Sequence, residues 1–175
     1  MSEPDLLPIL LVPDARLRAK ARPVGPADAD TVRALAPRML ESMYKAPGIG
    51  LAAPQVGELL RMFVVDLQKE EKPDPMVLVN PEIVAVSQEM SVREEGCLSL
   101  PGQYADVERP ARVKIRYLDL TGARQEVEAE GLLATCLQHE YDHLDGRLFV
   151  DHLSPLKRNM ILRRLAKDLK AKARA

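Results

Sequence analysis

The sequence predicts an α+β fold: antiparallel or mixed sheets packed around a central helix, with a second helix nearer the N-terminus and a third at the C-terminus. Three observations carry this. Apolar residues recur at helical spacing in an early, a late and a terminal segment, the intervening runs are β-branched or alternating, and strands do not alternate regularly with helices.

The elements follow in order. Leu6 to Pro13 is apolar and punctuated by Pro, and a basic, turn-rich stretch runs on through Pro26, so irregular backbone packed over other elements is expected here. From Asp28 onward Val32, Leu35, Ala36, Met39, Leu40 and Met43 return every three or four residues, giving a helix with one buried face that fails before Pro47 and Gly48. A Gly-rich loop comes next. Arg61 to Leu67 and Met76 to Ser87 are rich in Val, Ile and Leu, flank the breaker Lys72-Pro73-Asp74-Pro75, and read as strands. Val113, Ile115 and Tyr117 alternate with Lys114 and Arg116, the period of a half-exposed strand, and the turn Thr121-Gly122 leads to Gln125–Glu130 as its hairpin partner. Leu132 to Leu144 forms the central helix, stopped by Asp145-Gly146. Ser154-Pro155 supplies an N-cap and a first-turn residue for the last helix.

Hydrophobic residues at 46% and charged residues at 29% place the 175-residue chain among globular proteins with a real core, so one domain over residues 1–175 is expected. With no Trp and 3% aromatic residues, aliphatic side chains must fill that core. A formal net charge of -1 argues against wholesale nucleic-acid binding, and DNA is not an expected partner. No apolar run is long enough to span a bilayer, so no membrane association is expected, and Met1 to Asp5 shows neither a signal nor a transit peptide. Cys97 and Cys136 are expected to be free or metal-bound thiols. A bacterial cytoplasm is the default location, although a mature organelle protein would read the same way.

The run His139-Glu140-Tyr141-Asp142-His143 carries the chemistry. On a helix, the four-residue spacing stacks two imidazoles on one face, within reach of one tetrahedral metal, which makes the central helix metal-binding. Two surface histidines on a polar helix are the plain alternative, and the specificity of the pattern weighs against it. Leu132, Cys136, His139 and His143 share one helical stripe, which reads as a pocket floor beside a metal and as core packing without one. A catalytic metal usually takes three protein ligands and a water, so a third ligand is needed. The string continues as His-Glu-x-x-His-x-x-Gly, as in metzincin peptidases, yet Phe149 stands where their third histidine would be. No Glu follows Glu140 to serve as in thermolysin-like peptidases. Asp151 and His152 lie past the helix end. Cys97 offers a soft thiolate suited to Zn or Fe, although a lone cysteine is as readily a small buried hydrophobe.

The surroundings of Cys97, Glu94-Glu95-Gly96-Cys97-Leu98-Ser99-Leu100-Pro101, resemble the Glu-Gly-Cys-Leu-Ser motif of peptide deformylases. Gly48-Ile49-Gly50-Leu51-Ala52-Ala53-Pro54-Gln55 is similar to that family's Gly-rich signature, and Gln138 to Gly146 to its helix signature, all in the family's order. The likeness reaches Ile9–Val24 and Leu148–Arg158, so it covers essentially the whole chain. It implies removal of the N-formyl group from nascent polypeptides that begin with formylmethionine, with release of formate. It also implies one divalent metal, Fe(II) natively with Zn, Ni or Co able to replace it, held by Cys97, His139 and His143. By the same resemblance Glu140 is the catalytic acid and base, and the Gln55 side-chain amide and Leu98 backbone amide are donors to the oxyanion. Ile49, Gly50 and Gly96 would contact the peptide backbone, and the substrate thioether would rest near Leu132 and Cys136. Where some members carry Arg, this chain has Gln103-Tyr104, so a charge-based contact to the peptide is not expected there.

Glu140 adjoins one ligand and precedes the other by three residues, so its carboxylate flanks the remaining coordination position without occupying it. In the last helix Lys157, Arg158, Arg163, Arg164, Lys167, Lys170, Lys172 and Arg174 face a single acid, Asp168, beside the apolar stripe Ile161, Leu162, Leu165 and Leu169. A solvated face is the plain reading of these bases; docking on ribosomal RNA near emerging chains is the sharper one. Two other functions compete with deformylation. A zinc metallopeptidase of the His-Glu-x-x-His type predicts a third ligand downstream, and a catalytically silent metal-binding homologue would be supported by a fourth protein ligand.

Overall fold

The computed structural model describes residues 5–174; residues 1–4, part of the stretch in which no leader is expected, and Ala175 fall outside the described residues. Helix α1 spans Ala29–Lys45 and is followed by the short strand β1, Gly50–Ala52. Strands β2 (Met62–Val65), β3 (Met76–Val86), β4 (Met90–Cys97), β5 (Leu100–Pro110), β6 (Arg112–Leu118) and β7 (Arg124–Glu130) form the middle of the chain. Helix α2, Gly131–Leu144, and helix α3, Pro155–Arg174, complete it. The α+β class therefore holds, with five strands in the order β1-β2-β3-β6-β7 and a separate β4-β5 ribbon, all paired antiparallel.

The five-stranded sheet is covered on both faces. Phe63 and Val65 of β2, with Leu78, Val113 and Ile115, pack under Ala134, Cys136, Leu137 and Leu144 of α2. Met62 and Val64 point the other way, onto Val32, Leu35, Ala36, Met39 and Met43 of α1. Two buried faces explain why Met62–Val65 is apolar at every position rather than alternating. Fully buried side chains such as Phe63 and Leu137 each contribute roughly 1.5–3 kcal/mol through area removed from water. A third cluster joins Leu100 and Val107 of the ribbon to Leu148, Phe149 and Val150 and to Ile161 and Leu165 of α3.

Helix α2 stops as expected, with Gly146 N–H donating to the His143 carbonyl and Arg147 N–H to that of Asp142. The Ser154 hydroxyl accepts from the Lys157 amide at the start of α3. Strands β1, β4 and β5 are additions to the sequence reading. Strand β1 is three residues long and bounded by Gly and Pro signals. In the ribbon, Val92, Glu94, Tyr104, Asp106 and Glu108 face outward while Glu95, Val107 and Arg109 are buried. Charges therefore lie on both faces, and the apolar alternation that reveals a strand is lost.

Candidate active site

The site lies where α2 meets the end of β4. Four-residue spacing places His139 and His143 on one face of α2, their rings 5.1 Å apart and edge to face. The ribbon turns after Cys97 and brings its Sγ to 3.4 Å from His143 Nε2. One donor atom from each of Cys97, His139 and His143 lies within 4.8 Å of the others. A soft sulfur with two imidazole nitrogens suits a borderline divalent ion such as Zn(II) or Fe(II), so the residues fit the metal the motif implies.

His139 is held by an acceptor on its other nitrogen: Nδ1 sits 3.0 Å from Glu95 Oε1. That contact fixes the tautomer, leaving Nε2 for a cation. Burial alone would raise the Glu95 pKa, but hydrogen bonds from His139 and Arg109 and their charges hold it below the ordinary carboxylate value. Burial opposes protonation of both imidazoles. It prevails at His143, with help from charge on His139, whereas Glu140 and bonds to Cys97 and Glu95 overcome it at His139 and raise that pKa. A cation entering the site therefore displaces a proton.

Glu140 is buried beside this pair, and its Oε1 has no hydrogen-bond partner among the described residues. Burial pushes its carboxyl up to about 7, which His139 only partly offsets. A carboxylate poised there is matched to proton transfer at neutral pH, although a bound cation would draw the value back down. Gly50 makes this placement possible. A Cβ on Gly50 would run into the Glu140 carboxylate and come within 3.0 Å of Cys136 Sγ, so any side chain there would displace Glu140.

Gln55 is buried and oriented by its surroundings. Its Oε1 accepts the Ala52 amide at 2.9 Å, so its NH2 group faces Ser99 Oγ at 3.1 Å and Cys97 Sγ at 3.5 Å. Gln55, Cys97, His139 and Glu140 line a cleft of about 580 Å³ whose walls include Ile49, Gly50, Gly96, Leu98, Leu132 and Cys136. Every residue expected in catalysis or substrate binding is thus at one cavity, with His143 fully buried behind it. Gly96 lacks a side chain for a reason the motif did not reveal: a Cβ would strike the ring of Tyr104, its neighbour across the ribbon. The ring lies 61% exposed at the cleft rim.

Sequence reasoning missed the charged residues behind the ligands. Arg109 donates to Glu95 and to Asp142, and Asp142 meets His152 at 2.7 Å. Asp151 pairs with Arg18. The two downstream candidates for a third ligand are therefore engaged elsewhere. The available signal was weak: a lone Arg between Glu108 and Pro110 gives no sign that it is buried.

A half-buried thiol, two buried imidazoles and a carboxyl oxygen without a hydrogen-bond partner among the described residues, gathered at one cleft, define a metal-dependent hydrolase. Comparison with known proteins makes the assignment specific. The polypeptide deformylase family model matches residues 6–159, and the chain belongs to that family. A peptide deformylase of Mesorhizobium japonicum is 57% identical over 167 residues, 95% of this chain and 94% of that one. The crystal structure of a peptide deformylase from Legionella pneumophila matches with a TM-score of 0.91 at 47% identity, over 98% of this chain and 99% of that one. That of Synechococcus elongatus, solved in complex with actinonin, gives 0.85 at 44% identity, over 94% and 89%. The chain is an enzyme of this family, whose members remove the N-formyl group from nascent peptides.

Proposed function

We propose that Cys97, His139 and His143 hold one divalent cation and that Glu140, Gln55 and Leu98 carry the hydrolysis of N-formylmethionine at the start of nascent polypeptides, releasing formate. The observation that supports this is the convergence of three donor atoms within 4.8 Å beside the unpaired Glu140 carboxyl. Fe(II) is the proposed native ion, and Zn, Ni or Co suits the same donors. When bound, such an ion polarises the formyl oxygen and lowers the pKa of water toward ~7.

The chain's own groups do the rest. Glu140 takes a proton from the attacking water and returns it to the leaving amine as the formyl C–N bond breaks. The Gln55 amide and the Leu98 backbone N–H donate to the oxygen that gains charge, each worth roughly a hundredfold in rate or more. Ile49, Leu132 and Cys136 form the apolar wall against which the unbranched thioether rests. Ile49, Gly50 and Gly96 present backbone to the peptide.

An anaerobic assay of formate release from a formyl-Met peptide, with elemental analysis of the same sample, tests the reading. Formate should appear in proportion to bound metal, and internal peptide bonds should stay intact. A metal-loaded protein that releases no formate would refute it. The peptidase alternative lacks its downstream ligand, and the donor cluster among the described residues has three members, leaving room for water rather than closing the site.

A second partner, the ribosome, is favoured by α3, and with it a bacterial cytoplasm. Ile161 and Leu165 of α3 are buried, whereas Arg163, Arg164, Lys167 and Lys170 are exposed. Removing the helix would uncover Phe149, so charge reversal is the cleaner test. Ribosome cosedimentation of Arg163→Glu/Arg164→Glu/Lys167→Glu should fall well below that of the unmodified protein, with the difference shrinking at high salt. Equal binding would remove the ribosome from the reading. Among the described residues no helix is long and apolar enough to cross a membrane.

A further inference from the structure

We infer that Arg109 is a positioning residue for the metal site, clamping the Glu95 carboxylate that orients His139 and tying the Cys97-bearing ribbon to the helix that carries both histidines. The inference rests on the metal-binding reading above. Arg109 and Glu95 have side chains only 5% and 3% exposed. An ion pair so deeply buried adds little net stability, because desolvation of both charges offsets their attraction, and its position therefore needs another reason.

The geometry supplies one. Arg109 Nε donates to Glu95 Oε2 at 2.6 Å and Nη2 to Oε1 at 3.0 Å, so the planar fork grips both oxygens and the carboxylate cannot rotate. Oε1 is also the atom that meets His139 Nδ1 at 3.0 Å. The third arm, Nη1, donates to Asp142 Oδ2 at 2.9 Å. Glu95 lies two residues before Cys97 on β4, and Asp142 lies between His139 and His143 on α2. One guanidinium thus sets the separation of the two elements whose donors must converge. His143 gives the contrast: its Nδ1 is buried without a partner among the described residues, so His139 is the imidazole whose direction is set by an acceptor.

The Zn(II) dissociation constant, measured by competition with a chromophoric chelator, tests this together with the visible spectrum of the Co(II)-loaded protein and far-ultraviolet circular dichroism. Arg109→Met should stay folded yet bind Zn(II) roughly 10- to 100-fold more weakly, with an altered Co(II) spectrum. Arg116→Met cuts an exposed ion pair with Glu126 between β6 and β7, outside the clamp, and should leave both readouts unchanged. A folded Arg109→Met with unmodified affinity and spectrum overturns the inference. If Arg109→Met does not fold, Arg109→Lys decides: it keeps the charge and loses the fork, so weakened Zn(II) binding supports the clamp and unchanged binding overturns it. Failure of the unmodified protein to take up Zn(II) would instead sink the metal-binding reading itself.

Discussion

Glu140→Gln should lose formate release by roughly 10²- to 10⁴-fold, the usual weight of a positioned acid or base, while its metal content matches that of the unmodified protein. Gln keeps the volume and cannot exchange a proton. None of the three donor atoms belongs to residue 140. Turnover measured alongside elemental analysis checks this, and a Gln variant that still turns over rapidly would strip Glu140 of its role. A pH signature accompanies it. The folded carboxyl sits at about 7 against an ordinary 4.5, so the folded chain binds that proton more tightly than the unfolded chain does. Glu140 therefore costs metal-free stability progressively as pH rises from about 4.5 through 7, by up to about 3 kcal/mol above that. Thermal melts of the chelator-treated proteins should show Glu140→Gln the more stable at pH 8, with the gap closing near pH 4.5.

The second large effect is expected at Cys97. Replacing it by Ser exchanges a soft anionic sulfur for a neutral hydroxyl in almost the same volume, so the cleft survives and the donor set does not. Zn(II) affinity should fall by more than the roughly 10- to 100-fold that loss of an outer partner costs. The intense near-ultraviolet band of a thiolate bound to Co(II) should vanish. Full metal stoichiometry at undiminished affinity would take Cys97 out of the donor set. The Gln55 amide, 3.5 Å from the sulfur and 3.1 Å from Ser99 Oγ, retains its second acceptor in this variant, so the change reads on the metal rather than on Gln55.

Both experiments address residues that the motifs had already singled out, and the reason is local. The spacing of His139 and His143 follows from helical geometry within one turn, and the apolar recurrence from Val32 to Met43 says the same of α1. The ribbon went unread for the opposite reason. Glu95 and Arg109 are charged and buried, whereas Val92 and Tyr104 are apolar or aromatic and more than half exposed. A pattern reader sees no face to bury. The purpose of Gly50 was equally hidden, since the atom that forbids a side chain there belongs to Glu140, on a different element.

By itself the sequence determined the fold class, the positions of the three helices and of the longer strands of the five-stranded sheet, and which motif residues to propose for the site, because periodicity and motif spacing act over a few residues. Tertiary structure alone decided that Cys97 meets His143 across 46 positions, that Glu140 Oε1 is left without a partner among the described residues and Gln55 turned toward Cys97, and that Arg109 is spent behind the ligands rather than on solvent. Those features depend on how the β4-β5 ribbon docks against α2. No local spacing encodes that docking, because buried charge is settled by whichever partner the folded chain brings within reach.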